Sequence, residues 1–139
     1  MAPLRVLLAD EIESWREFAS SVLRKDPSLE VVCQVSDGLK AVQMAEKLQP
    51  TVVLLNISLP NLSGIQAGGW IRKLAPNTKI VFLSEELEAD IVQIAMKLGV
   101  RGYILKCETA RDLVAAIHAV SRGETFFTCQ LAARLHGGL

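Results

Sequence analysis

Short apolar runs alternate with longer amphipathic segments along most of this chain. The runs, each typical of a buried strand, cover about residues 4–9, 30–35, 51–55, 79–83 and 101–105. Apolar side chains recur at helical spacing over about residues 12–23, 37–49, 65–74, 85–98 and 109–120. This pattern predicts an α/β fold: a doubly wound, five-stranded parallel sheet with helices on both faces. Gly68 and Gly69 should each cost about 1 kcal/mol relative to alanine, which makes the third helix the softest.

Several features of the helical segments predict how they begin and pack. Ser84 is a good N-cap residue for the fourth helix, and Thr109 with Asp112 forms a capping-box-like pair at the fifth. Trp15 and Trp70 follow apolar stripes, so we expect both rings in the core. The fifth helix carries a wide apolar stripe, for which core packing is expected and a dimer surface is an added hypothesis: Leu113, Val114, Ile117 and Val120.

Polar residues stand at the C-terminal ends of the apolar runs. Asp10 and Glu11 follow the first run, Asn56 ends the third, Ser84 follows the fourth and Lys106 follows the fifth. In an open parallel sheet such strand ends lie along one edge, where ligand sites form. We therefore expect these side chains to converge.

A set of short segments in a fixed order carries a family resemblance. They are Arg5–Asp10, Val53–Pro60 with Ser63 and Gly64 after it, Ser84, Arg101–Lys106 and Arg122–Phe127. With them, residues 4–135 resemble the receiver domain of bacterial two-component response regulators, and the last segment resembles the one that leads toward the DNA-binding domain of the LuxR/NarL-type branch. The resemblance implies a flavodoxin-like receiver domain at residues 1–125 and a C-terminal tail at 126–139, with a DNA-binding domain beyond it as an open question.

Asn56 departs from the family pattern at the phosphoacceptor position. In the family, an aspartate there takes a phosphoryl group from a histidine kinase, because a carboxylate is an oxygen nucleophile. An amide oxygen carries no full negative charge, so we expect no phosphorylation of Asn56. The resemblance with this departure implies a pseudo-receiver, which is not an enzyme and acts through protein–protein interaction, with transcription regulation as one output.

The resemblance also implies a site for Mg²⁺. Asp10 and Glu11 match the family's acidic pair, and the Ser58 backbone carbonyl and the Asn56 side-chain oxygen would complete the protein ligands. We expect weak binding, because the site lacks a charge at position 56 and Glu11 has a longer arm than the usual aspartate. The alternative role of Asp10 and Glu11 is an acidic start to the following helix.

Ser84, Tyr103 and Lys106 match the family's switch residues. Without a phosphoryl group to contact, Lys106 is expected to pair with Asp10, Glu11 or the Asn56 amide oxygen. For Tyr103, a role as the switch aromatic and ordinary packing in the core are equally open alternatives. Glu85 is a second departure, since its negative charge would repel a phosphate there.

The balance of charged residues limits the classes of binding partner that we expect. The 15 basic and 15 acidic residues balance, so no overall field favours nucleic acid or an anionic membrane, and DNA contact would need a further domain. We expect protein partners: a histidine kinase, a regulatory protein or a second copy.

No apolar run reaches the roughly 18 residues of a membrane span, which favours a soluble, cytoplasmic protein. The spacing of Cys33, Cys107 and Cys129 argues against a disulfide framework or zinc site.

Two alternatives stay open at this point. One is an ordinary phosphorelay receiver whose aspartate was changed to asparagine by engineering, although Glu11 and Glu85 favour natural loss. The other is a flavodoxin-like cofactor-binding protein, which would need a phosphate cradle where this chain has Asp10 to Glu13. His118 and His136 are expected to be surface residues rather than phosphoryl carriers.

Overall fold

A computed structural model describes residues 2–86 and 88–128. Its sheet contains six parallel strands in the order β2-β1-β3-β4-β5-β6. The strands are β1 (Leu4–Ala9), β2 (Leu29–Val35), β3 (Val52–Asn56), β4 (Lys79–Ser84), β5 (Gly102–Leu105) and β6 (Phe126–Phe127). The helices are α1 (Glu13–Arg24), α2 (Gly38–Leu48), α3 (Gly64–Leu74), α4 (Ala89–Leu98) and α5 (Thr109–Ser121). The predicted doubly wound fold is confirmed.

The sixth strand, β6, lies in the segment that the sequence assigned to the tail. Phe126 and Phe127 pair with Gly102 and Tyr103, and the N–H of Thr128 donates to the Tyr103 carbonyl at 2.9 Å. The expected strand number of five was therefore too low, because two residues are too few to show a strand period. The boundary drawn after residue 125 falls just before this strand, and residues 129–139 lie outside the described part.

Side chains of the central strands alternate between two cores. Val53 and Leu55 pack on the side that holds α2, α3 and α4, whereas Val52 and Leu54 pack on the side of α1 and α5. The apolar stripe of α5 belongs to the second core: Leu113, Ile117 and Val120 are buried and Val114 is packed against them. Within the part of the chain that the structure describes, no helix is both long and apolar enough to cross a membrane.

Two predicted helix caps are wrong. The helix α4 begins at Ala89 rather than Glu85, since β4 continues to Ser84 and a turn follows it. The Ser84 hydroxyl instead accepts the N–H of Glu86 at 3.3 Å.

At α5, the Thr109 hydroxyl donates to the Lys106 carbonyl at 2.7 Å, because a 3₁₀ turn at Lys106–Glu108 leads into the helix. A true capping box, between Ser63 and Gln66, begins α3 and was not predicted.

The two tryptophans differ in their packing. Trp15 is partly buried against the core of α1 and α5, as expected. Trp70 is 52% exposed, and its predicted core position is wrong. The buried face of α3 consists of Gly64, Ala67, Gly68 and Ile71, and Trp70 lies outside that arc.

Candidate functional site

A small cleft forms where β1, β3 and β4 end, as the topology of an open parallel sheet predicts. Its volume is about 270 Å³. The predicted site residues Glu11, Asn56, Ser58 and Ser84 all line it. Gly64 allows the start of α3 to pack closely against the end of β3, since a Cβ at that position would lie 2.0 Å from the Asn56 carbonyl oxygen.

Asp10 and Lys106 form a buried ion pair beside this cleft. The Nζ of Lys106 lies 2.5 Å from Oδ2 of Asp10, whose side chain is fully buried, and the Lys106 side chain is 9% exposed. The other carboxylate oxygen of Asp10 accepts the N–H of Ile12 at 2.8 Å. Of the three partners left open for Lys106 by the sequence, the structure selects Asp10.

Trp15 holds Lys106 from a second side. The ammonium lies 4.8 Å from the centroid of the Trp15 ring, which is within cation–π distance. Arg16, the next residue of α1, donates to the Asp10 carbonyl at 2.6 Å. The sequence carried no sign of the contact between Trp15 and Lys106, because the two residues are more than ninety positions apart and helical spacing alone placed Trp15 in the core. The charge of Lys106 is thus engaged by two groups of the protein itself.

Asn56 uses its amide inside the site. Its Nδ2 donates to the backbone carbonyl of Ser58 at 3.0 Å, and the residue is buried. An aspartate could not make this bond, since an ionised carboxylate only accepts hydrogen bonds. The carbonyl that the family resemblance assigned to the metal is therefore bonded by a side chain of the chain itself.

Ser84 and Tyr103 meet at one backbone carbonyl. The Ser84 hydroxyl donates to the Glu86 carbonyl at 2.7 Å, and the Tyr103 hydroxyl reaches the same oxygen at 3.5 Å. Tyr103 belongs to the core and is almost fully buried. Burial raises the pKa of Tyr103, the neighbouring Ser84 hydroxyl opposes that rise, and the charge of Glu88 adds to it. Both side chains thus have partners in the turn after β4.

The cleft is strongly acidic. Glu11, Glu85, Glu86 and Glu88 all line it, and none of the described lining residues is a lysine or arginine. The sequence indicated Glu11 and Glu85 as site residues but missed Glu86 and Glu88, because they were assigned to the first turns of a helix. The resulting field opposes a phosphate and favours a cation.

The present arrangement of the side chains disfavours tight binding of a magnesium ion. Among residues 2–86 and 88–128, no three His, Cys, Asp or Glu side chains lie close enough together to hold a metal. Asp10 is neutralised by Lys106, and Asn56 bonds the Ser58 carbonyl. Asp10, Asn56 and the Ser58 carbonyl are ligands that the resemblance named. Weak Mg²⁺ binding stays a prediction.

Comparison with known proteins identifies the family. Residues 6–118 match the family described as the response regulator receiver domain. This chain belongs to that family. The receiver domain is similar to the response regulator protein VraR of Staphylococcus aureus, with 31% identity over 132 residues that cover 95% of this chain and 63% of VraR. It thus spans less than two thirds of the length of that relative.

Solved structures support the same assignment. The signal receiver domain of NarL from Mycobacterium tuberculosis has a TM-score of 0.85 and 27% identity, covering 89% of this chain and 100% of that one. A LuxR-family two-component response regulator from Aurantimonas sp. SI85-9A1 shares the fold, with a TM-score of 0.89 and 24% identity over 94% of each chain. The flavodoxin-like receiver fold and the LuxR/NarL-type neighbours are therefore confirmed. Receiver domains are generally signalling modules rather than enzymes.

The remaining candidate residues lie elsewhere. His118 is 33% exposed, with Nε2 2.8 Å from Oδ2 of Asp26, and takes no part in the cleft. Cys33 and Cys107 are both free thiols, and burial raises the pKa of Cys33. Cys129 and His136 fall outside the described residues.

Proposed function

We propose that this receiver domain is a pseudo-receiver: it transmits a signal through protein contacts and is not phosphorylated at Asn56. The observation that carries the proposal is the hydrogen bond from Asn56 Nδ2 to the Ser58 carbonyl. It gives the amide a structural role at the position where the family has its nucleophile. An amide oxygen is also a poor nucleophile, because its lone pair is delocalised in the carbonyl.

The engaged state of Lys106 supports the proposal. A phosphoryl group at residue 56 would need this ammonium, which is paired with Asp10 and stacked on Trp15. Moving it would leave the Asp10 carboxylate buried without its counter-charge, which costs about 3 kcal/mol or more.

The acidic lining of the cleft supports it further. Four glutamates surround the space in which a phosphoryl group would stand. Their negative charges oppose an added dianion, and Lys106 is already paired with Asp10. Glu86 and Glu88 also argue against an ordinary receiver with one engineered substitution, because a single change at residue 56 would not introduce them.

The partners follow from the family and from the relatives. A histidine kinase or another regulatory protein is the proposed contact, without transfer of phosphate, and a second copy is a further candidate. VraR is a response regulator that is longer than this chain, and a DNA-binding output would reside in a separate domain. Mg²⁺ is proposed to bind weakly and to have no regulatory role.

Treatment with acetyl phosphate and Mg²⁺ tests the proposal by intact-mass spectrometry. We expect no adduct of one phosphoryl group on the unaltered protein. Asn56→Asp is the matched control, because it restores the nucleophile at the same position. An acid-stable, base-labile adduct at near-unit stoichiometry on the unaltered protein would refute the proposal.

A further inference from the structure

A basic and apolar groove lies between α3 and α4 and shares no lining residue with the cleft at Asn56. Its volume is about 600 Å³. The apolar lining includes Leu62, Trp70 and Leu98, and the cations along it are Arg72, Lys73 and Lys97. None of the described lining residues carries a carboxylate, although the chain as a whole has no net charge.

Trp70 is the most exposed of the large apolar residues that line this groove. The residue is 52% exposed, and Lys73 Nζ lies 5.4 Å from its ring centroid. On α4, Ile94 is also exposed and lies one helical turn before Leu98, so the apolar surface continues along that helix. Tryptophan and arginine are the residues that most often dominate the binding energy of protein interfaces.

Gly69 leaves the floor of the groove open. A Cβ at Gly68 would lie 3.1 Å from Phe82, so close packing of α3 on the sheet explains that glycine. At Gly69, the nearest atom to an added Cβ is Leu98 Cδ2 at 3.9 Å, an ordinary contact. The fold therefore does not require Gly69, which costs the helix about 1 kcal/mol relative to alanine. The absent side chain deepens the space beside Trp70.

We propose that this groove binds an acidic amphipathic helix of a partner protein. Its apolar face would lie on Trp70 and Leu98, and its carboxylates would pair with Arg72, Lys73 and Lys97. Charge complementarity favours an acidic partner, since the charged side chains that line the groove in the described part of the chain are all positive. A helix laid in an apolar groove is an established mode of peptide recognition. The proposal extends the proposed function by naming a contact surface, and it does not depend on the chemistry at residue 56.

Selection from a random peptide display library on the immobilised domain tests this inference. We expect enriched peptides that combine apolar residues at helical spacing with an excess of Asp and Glu. Their affinity, measured by fluorescence anisotropy with labelled peptide, should fall at least tenfold in Trp70→Ala and in Gly69→Leu. Gly69→Leu fills the groove while improving helix propensity, so thermal unfolding should show it to be folded.

A matched pair of charge reversals separates the groove from overall charge. Lys97→Glu and Lys47→Glu each alter an exposed lysine in the last turn of a helix, α4 and α2 respectively, but only Lys97 lines the groove. Lys97→Glu should weaken the peptides severalfold, and Lys47→Glu should leave them unchanged. Selected peptides that are basic, or whose affinity is insensitive to Trp70→Ala, would overturn the proposal. Two other results would overturn it as well. One is binding of a labelled single-stranded oligonucleotide that depends on Trp70 and Lys97 when peptide binding does not, and the other is self-association, measured by sedimentation, with that same dependence.

Discussion

The side-chain nitrogen of Asn56 lies 3.0 Å from the backbone carbonyl oxygen of Ser58 and donates a hydrogen bond to it. In the family pattern, that carbonyl and a carboxylate at residue 56 would both face a divalent cation. Here the amide nitrogen supplies the positive end of a dipole where the cation would supply a full charge. The amide thus holds the end of β3 and the following turn together without a metal.

Asn56→Asp should make the stability of the protein depend on Mg²⁺. Without the ion, the new carboxylate faces the Ser58 carbonyl and the acidic cleft, and we expect a loss of about 1–3 kcal/mol in the free energy of unfolding. Calorimetry should show Mg²⁺ binding at least tenfold tighter in Asn56→Asp than in the unaltered protein. Equal affinities would mean that the charge at residue 56 does not govern metal binding.

Lys106→Met should destabilise the fold by about 3–5 kcal/mol, because it leaves the Asp10 carboxylate buried without its counter-charge. Urea unfolding measures this loss. The double variant Asp10→Asn with Lys106→Met should recover a large part of it, since both charges are then absent. A double variant less stable than Lys106→Met would show that the pair contributes little and that other contacts of Asp10 dominate.

Trp15→Leu should remove the aromatic partner of the Lys106 ammonium. The substitution keeps an apolar side chain on α1 but removes the cation–π contact, for which we expect a cost of about 1 kcal/mol or more. In NMR spectra, the Lys106 side-chain resonances should lose the upfield shift that an aromatic ring produces. Unshifted resonances in the unaltered protein would place the ammonium away from the ring.

Acid should remove a contribution of Asp26 to stability. The Ser28 hydroxyl, then His118 and the Ser28 N–H lower the pKa of Asp26 from 3.8 to about 2. A carboxyl group whose pKa is lowered on folding stabilises the fold above its ordinary pKa, and the effect is lost as pH falls toward the folded value. Ser28→Ala should therefore raise the pKa of Asp26, measured from carboxyl ¹³C shifts. It should also flatten the loss of stability between pH 4 and 2, and a steeper loss would contradict this assignment.

The sequence predicted the fold and the location of the site because both depend on strand order and hydrophobic period. It placed Asp10, Asn56 and Ser84 at one edge of the sheet through that topology alone. It wrongly predicted Ser84 as the N-cap of the fourth helix, since the chain can either begin a helix there or extend the strand, and the strand β4 continues to Ser84. The contact of Lys106 with Trp15 and the exposure of Trp70 depend on how the helices pack against their neighbours, and local spacing carries no such information.

Addition of beryllofluoride with Mg²⁺ tests the central claim most directly. This reagent mimics an aspartyl phosphate by bonding to a carboxylate, and a ligand shifts a conformational equilibrium only through different contacts with the two states. Amide NMR spectra of the unaltered protein with and without the reagent should overlay, whereas Asn56→Asp should show shifts around the cleft. Large shifts at Ser84, Tyr103 and Lys106 in the unaltered protein would show that its pocket still responds to a phosphate mimic, and would contradict the pseudo-receiver account.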